Sequence, residues 1–339
     1  MFEKYIYHKE VPEHVYRQII NWPGFNIYHT HLWHEVLNKG AGQKVGGLAA
    51  YRNDDDLVFW LPMVKKWRIT GRASVCLPLT DKVGPLHNPD IQLQDIDIKA
   101  LPKNLEIHEN IAIPGTIHAT SSTNTTLSLK DIKDETELLQ KIKPAIRRKI
   151  KKSFKAGLRC ELSVSQNSYY QFSELQAITR KRQGSPTYPM NFFNEIYNQL
   201  FQENQAKLFL VKDNDKIVSG VLFLYYGDEA IYAYGASNEE DYYKTNGANQ
   251  LAMWTAILDV YNNGFQYLDF GTSSIHHHNL MRYKENWGGI SNELPYTYTS
   301  TPKSIGHDGL LTQIGEPVLR RLPLPVFKRI TPIMTKLIV

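Results

Sequence analysis

The chain has 339 residues, 42% hydrophobic and 22% charged, with a formal net charge of +5. That is ordinary for a soluble globular protein and long enough for two compact domains. The two cysteines, Cys76 and Cys160, have no C-x-x-C spacing, which excludes a disulfide framework or zinc-finger pattern and predicts two buried thiols in a reducing compartment. No cleavable leader is visible, and no run approaches the ~18 apolar residues of a membrane span, so the expected location is cytoplasmic.

Residues 1–130 read as a mixed α/β half. Leu32, Trp33, Val36 and Leu37 have helical spacing and run into Lys39-Gly40, a stop. Segments 45–51 and 57–64 read as strands joined by a polar turn over 52–56, and 72–79 as a third strand leading into the turn-forming run 81–85. Further on, the pattern predicts a helix over 91–100, strands near 105–112 and 116–120, and a surface loop at Ser121–Thr126. The division between halves is placed near residue 130.

The second half is clearer. Ile142, Ile146, Ile150 and Phe154 recur every fourth residue, predicting a helix over 134–155 that kinks or restarts at Pro144 and stops at Gly157. Between Lys141 and Arg159 lie nine basic residues and no acidic one, the largest electrostatic feature of the chain. A strand at 159–165 and helices at 168–182 and 192–204 follow. The period then changes to strands at 206–212, 217–226 and 230–237, a helix over 246–261, a strand at 265–270 and a last strand at 294–299. Three antiparallel strands, a helix and another strand require a crossover.

Chemistry concentrates in 230–289. A helix starting from the glycine-bearing turn Lys244-Thr245-Asn246-Gly247-Ala248-Asn249 presents free N–H groups and a positive dipole end, which suits a phosphate. His276, His277 and His278 admit a metal site or a general base, or simply a solvated loop; adjacent histidines rarely converge on one ion. The basic helix fits three readings: an anionic substrate or tRNA, acidic lipid, or a solvated face. The tail 301–339 mixes apolar residues with Arg320, Arg321, Lys328, Arg329 and Lys336. It reads as a peripheral membrane anchor or as a segment packed over the sheet.

This order of elements is similar to the GNAT acyltransferase fold. The run LDFGTSSIHHHNLMRYKENWGG (268–289) resembles the hallmark of FemAB-related transferases: Asp-Phe-Gly, a loop, an aromatic-Lys pair and Trp-Gly-Gly. Arg147, Lys151 and Lys155 through Gly157, Thr179-Arg180 with Pro186, and Tyr234 to Ser237 resemble further parts of that family. LPMV (61–64) and CLPLTDKVGPL (76–86) look like its degenerate first unit. Asn279 departs from a glycine, and Lys244 from a glutamine or arginine.

The resemblance implies an α/β (α+β) fold of tandem GNAT-like domains, each a mixed, mostly antiparallel sheet flanked by helices. Residues 1–130 would form a degenerate N-terminal unit, 131–300 the acyltransferase domain, and 301–339 the tail. It further implies transfer of an acyl or aminoacyl group from acyl-CoA or aminoacyl-tRNA, without a metal, to an amine or hydroxyl of an anionic cell-envelope or polysaccharide precursor. Contact with the inner membrane leaflet would follow from a lipid-linked acceptor. Lys284, Asp269 and Tyr234 would be catalytic. Lys244, Gly247, Ala248, Asn249 and Ala236 would hold the donor, and Arg147, Lys151, Arg180, Tyr188 and His278 the acceptor. Lys284 is expected to point back over the cleft, sharing a groove with the bend at Gly247. The rival reading is a non-catalytic GNAT-like protein that binds RNA or anionic lipid.

Overall fold

The computed structural model describes residues 4–53, 56–68, 71–214, 216–238, 240–302 and 310–338. The expected turn positions Asp54, Asp55 and Asp215, and tail residues 303–309 and 339, lie outside them. The first half contains β1 (Lys4–His8), α1 (Glu13–Ile19), α2 (His31–Glu35), β2 (Val45–Tyr51), β3 (Leu57–Arg68), β4 (Gly71–Val75), β5 (Leu86–His87), β6 (Leu105–Ile107) and β7 (Ile117–Ser128). Next come α3 (Glu135–Lys141), α4 (Pro144–Lys155), β8 (Arg159–Ser163), α5 (Gln166–Gln183), α6 (Asn191–Ile196), β9 (Ala206–Asp213), β10 (Lys216–Tyr226) and β11 (Glu229–Ser237). The chain continues through α7 (Asp241–Thr245), α8 (Ala248–Asn262), β12 (Tyr267–Ser274), α9 (His278–Glu285), β13 (Ile290–Tyr298), α10 (Leu310–Arg321) and α11 (Leu324–Ile338).

One mixed sheet runs β1-β2-β3-β4-β6-β13-β7-β12-β11-β10-β9-β8, with β5 also paired to β3. From either edge the pattern is the same. Four antiparallel strands (β1–β4 or β8–β11) are followed by one parallel neighbour, β6 beside β4 and β12 beside β11. The last strand of each half is then exchanged: β7 pairs with β12, β13 pairs with β6, and β7 and β13 pair with each other at the centre. This is a tandem GNAT-like topology, and the repeat lives in the connections rather than in the residues.

The exchange corrects one expectation. Ser121–Thr126 is not a surface loop but the middle of β7, with Ser121, Thr123 and Thr125 buried. Threonine is a good strand residue because its branched side chain packs on a pleated surface. Its hydroxyl can also find a partner across the ladder, as Thr125 Oγ1 does with Ser291 Oγ at 2.9 Å. Similarly, 91–100 forms two short 3₁₀ turns, Leu93–Asp95 and Ile98–Ala100, rather than a helix. The crossover between β4 and β6 therefore lacks a counterpart of α8.

Each face of the sheet carries its own core. Along β10, Val221, Phe223 and Tyr225 pack with α3, α4 and α8, while Leu222 and Leu224 pack with α5, α6 and the N-terminal half. This is the alternation of a strand buried on both faces. On β11 the alternation breaks. The register against β10 shifts so that Ala233 is an extra residue, and Ala233 and Tyr234 both turn toward the α5 side. Such a bulge re-aims the strand. The long helix predicted over 134–155 ends at Lys141 and restarts with Pro144 at its first position, where a missing N–H costs nothing.

Candidate active site

The site begins where the sheet opens. β11 and β12 are hydrogen-bonded only over Glu229↔Tyr267, Ala230↔Leu268 and Ile231↔Asp269. Both strands continue, to Ser237 and Ser274, without pairing to each other. Unpaired strand edges at a fork are polar backbone looking for partners. Part of the β11 edge is already taken: Gln176 Nε2 donates to Gly235 O at 3.0 Å, and Ser237 N–H donates to Thr179 Oγ1 at 3.1 Å.

On one face of the fork stands the start of α8. Gly247 caps it with φ +75°, and no side chain caps its first turn, so orphan N–H groups face outward. A Cβ at Gly247 would lie 2.6 Å from the Lys149 carbonyl oxygen. The basic helix α4 is therefore packed directly against the uncapped end. Arg147 is half-buried on α4, while Arg148, Lys149, Lys151, Lys152 and Lys155 are exposed. Lys244 is exposed in the last turn of α7. Asn249, in the first turn of α8, donates to the Tyr283 hydroxyl at 3.2 Å and ties the bend to α9. Burial pushes the Tyr283 phenol up to about 12.

On the other face, Arg180 of α5 donates through Nε to Pro186 O and through a terminal nitrogen to the Tyr188 hydroxyl at 3.3 Å, with its guanidinium 4.7 Å from the Tyr188 ring centroid. Tyr188 in turn meets Tyr234 edge-on at 5.2 Å. Tyr234 is buried, its phenol pushed well up by burial, and its hydroxyl donates to Leu79 O at 3.5 Å. Arg147 and Lys151 thus belong to the α8 side and Arg180 and Tyr188 to the α5 side. Ala236, buried with the α5-side core, lines β11 between them.

At the fork itself sits a charged cluster. Asp269 is 6% exposed; Oδ1 accepts the Gly271 N–H at 2.6 Å and Oδ2 accepts the Asn124 amide at 3.0 Å. Its carboxylate holds a bulge in β12 at Gly271, whose φ is +74°. Burial raises its pKa, with Asn124 and Gly271 opposing. Lys284 is 3% exposed, and its ammonium donates to Gly271 O at 2.8 Å and Thr272 O at 2.7 Å. Burial pushes it down to about 8, opposed by Asp81 and Asp269. Lys284, expected to point back over the cleft, turns its ammonium onto β12. It stands on α9, and two of its three N–H donors hold the backbone of β12. A helix forms here because Asn279 to Glu285 contains no breaker. His278 opens that helix, and all three histidines of the run are exposed. Among the described residues, no group of three or more metal-ligating side chains converges.

Asp81 was read only as part of a turn. Its carboxylate accepts the Thr272 N–H at 3.3 Å and hydroxyl at 3.1 Å, and the Tyr28 hydroxyl lies 3.5 Å away. A Cβ on Gly271 would sit 2.8 Å from it. The loop that carries Asp81 leaves β4 through Leu77 and Leu79, both at positive φ. Such a left-handed backbone is costly for leucine and persists only where packing enforces it. The N-terminal half thus pushes a carboxylate into the fork. Neither the strain nor the contact has a local sequence signal.

Residues 140–285 match the acetyltransferase (GNAT) domain family. These residues carry a GNAT-like domain. A lipid II:glycine glycyltransferase of Staphylococcus haemolyticus is 35% identical over 86 residues, which is 25% of this chain and 20% of that protein. The match therefore spans about a fifth of that relative. The structure of FemX superposes with a TM-score of 0.63 at 16% identity, covering 92% of this chain and all of that one. A tandem GNAT protein from the clavulanic acid biosynthesis pathway superposes at 0.53 with 9% identity, covering 88% and 100%. These structural likenesses carry the fold, and the GNAT-like domain holds the α8 bend, the fork and Lys284 together.

Proposed function

We propose that this chain is a transferase that moves an acyl or aminoacyl group from a phosphate-bearing donor to an amine or hydroxyl of a cell-envelope precursor. The observation that supports this most is the fork: β11 and β12 part beyond Ile231 and Asp269, with an uncapped, cation-flanked helix start on one face and an Asp–Lys cluster at the vertex. The donor's phosphates would lie on the first-turn N–H groups of α8 at Ala248 and Asn249, with Lys244, Lys151 and Arg147 adding charge. Its thioester or ester carbonyl would enter between the parted strands. The acceptor would approach from the α5 side, past Arg180 and Tyr188, with His278 at the rim.

The reaction would need no covalent enzyme intermediate. The acceptor lone pair attacks the carbonyl carbon, the C–S or C–O bond to the donor breaks, and the acceptor's proton passes, by way of Asp81 or water, to the departing sulfur or oxygen. Lys284 would stabilise the oxyanion through its buried positive charge and its remaining N–H, while Asp269 fixes the β12 bulge that sets its position. The likeness to lipid II:glycine glycyltransferases favours an aminoacyl group and a lipid-linked cell-wall acceptor, hence work at the cytoplasmic side of the membrane and aminoacyl-tRNA as donor. Acyl-CoA fits the same helix start. Calorimetric titration at low salt with acetyl-CoA and with charged tRNA separates the two, and binding of neither rejects the proposal.

The second reading, a non-catalytic binder of RNA or anionic lipid, has one observation in its favour: the Lys284 ammonium is already engaged by two carbonyls. It predicts binding that is unchanged in Lys284→Met and no turnover with any donor.

A further inference from the structure

A buried helix face is normally apolar and an exposed one polar. In α11 neither face keeps to this pattern. The face turned inward carries Phe327, Thr331 and Thr335, all buried. The two threonines dock on the backbone of one residue: Thr331 Oγ1 accepts the Thr187 N–H at 3.2 Å, and Thr335 Oγ1 donates to Thr187 O at 2.7 Å. The outward face carries Val326, Ile330 and Ile333, which are 40%, 47% and 61% exposed. Their spacing of four and three residues makes one continuous stripe.

Val318 of α10 is 57% exposed, and Ile178 of the neighbouring α5 is 43% exposed. Between these helices runs a groove of about 590 Å³ lined by Ile178, Lys181, Arg182, Arg321, Leu322 and Leu324. Lys181 donates to Arg320 O at 2.8 Å and Arg182 to Ser237 O at 3.0 Å. Two neighbouring acids are already matched, Glu316 with Arg320 at 3.3 Å and Glu174 with Lys328. Arg321 and Arg329 are exposed beside the apolar stripe.

We propose that the outer face of α10 and α11 is a docking surface for an anionic lipid bilayer. Apolar side chains flanked by cations are the composition that enters the headgroup boundary: the stripe supplies burial and the arginines supply attraction to phosphate-bearing lipid. An exposed apolar stripe at this scale is otherwise a liability on a soluble surface. The docked helix leans on Thr187, and the next residue, Tyr188, forms the α5-side wall of the cleft. The surface stands on these helices alone and goes beyond the reading of the cleft.

The test is co-sedimentation of the full chain with vesicles of phosphatidylcholine alone and of phosphatidylcholine mixed with phosphatidylglycerol. Partition should require phosphatidylglycerol and weaken as salt rises. Ile330→Glu with Ile333→Glu, or Arg321→Glu with Arg329→Glu, should lower it about tenfold or more. These side chains are exposed, so thermal melts of both variants should match the parent. Equal partition to both vesicle types, no partition, or variants that bind like the parent would overturn the proposal. So would concentration-dependent self-association abolished by Ile333→Glu, since a second copy would then cover the stripe.

Discussion

Lys284 holds the β12 backbone and, in the proposed reaction, would also serve the chemistry. Its ammonium closes two carbonyls left by the β12 bulge, and burial brings its pKa down to about 8. As a cation acting on an oxyanion, it loses its charge as pH rises through that value. Transfer activity is therefore expected to fall above about pH 8 in a one-proton profile of kcat. Lys284→Met should lower kcat about 100-fold with donor KM little changed. It should also cost about 1–3 kcal/mol of stability by leaving the Gly271 and Thr272 carbonyls unpaired, read as a lower urea midpoint. Glu229, at the start of the parallel pairing, behaves oppositely. Burial first, then the charge of Asp269, pushes its carboxyl up to about 7. Between the unfolded value and 7 the folded chain holds more protons, so stability from this group falls as pH rises through that window. Glu229→Gln should remove the slope and stabilise the protein by roughly 1–3 kcal/mol at pH 8, and a parent that is equally stable at pH 5 and pH 8 would contradict this. Of the residues at the vertex, Asp269 and Lys284 were legible from a local run of sequence. Asp81 was not, because it reaches Thr272 across 191 positions.

Among the elements, the junction of α4 and α8 is where the proposed donor phosphates would sit. Gly247 combines a left-handed backbone with a backbone oxygen of Lys149 at 2.6 Å from any added Cβ. Gly247→Ala should cost about 1 kcal/mol for the backbone alone, and more because α4 and α8 must separate. A drop in melting temperature with donor affinity weakened at least tenfold is the expected result; unchanged affinity would detach this bend from donor binding. Reversing Arg147, Lys151 and Lys244 to Glu should weaken donor binding and flatten its salt dependence, since each lost phosphate contact removes released counterions. The α4 reading also carries a correction. Phe154 continues the apolar period of Ile142, Ile146 and Ile150, yet it is 60% exposed. Phe154 lies in the last turn of a helix that ends at Lys155, so period alone overstates the buried face.

The whole molecule is a pair of repeats joined by exchanged strands. β7 lies between β12 and β13, and the larger core draws on residues from Ile27 to Ala236. Cutting near residue 130 would strip β12 of a neighbour and expose the α5-side core. A fragment of residues 131–302 is expected to be insoluble or molten, while the full chain unfolds in one cooperative transition by circular dichroism. An independently folded fragment with native-like melting would contradict this.

Local periodicity was enough for most strands and helices of 131–298, because each buries one or both faces in a regular alternation that neighbouring residues share. The glycine bend, the basic helix and the Asp-Phe-Gly to Trp-Gly-Gly run were likewise readable as contiguous chemistry. Tertiary structure alone decided three things: the Ser/Thr-rich stretch becomes the central strand, Asp81 enters the fork, and α11 faces outward with its apolar side. In each case the deciding partner is more than a hundred residues away, so burial and hydrogen bonding are set by packing that no local window contains.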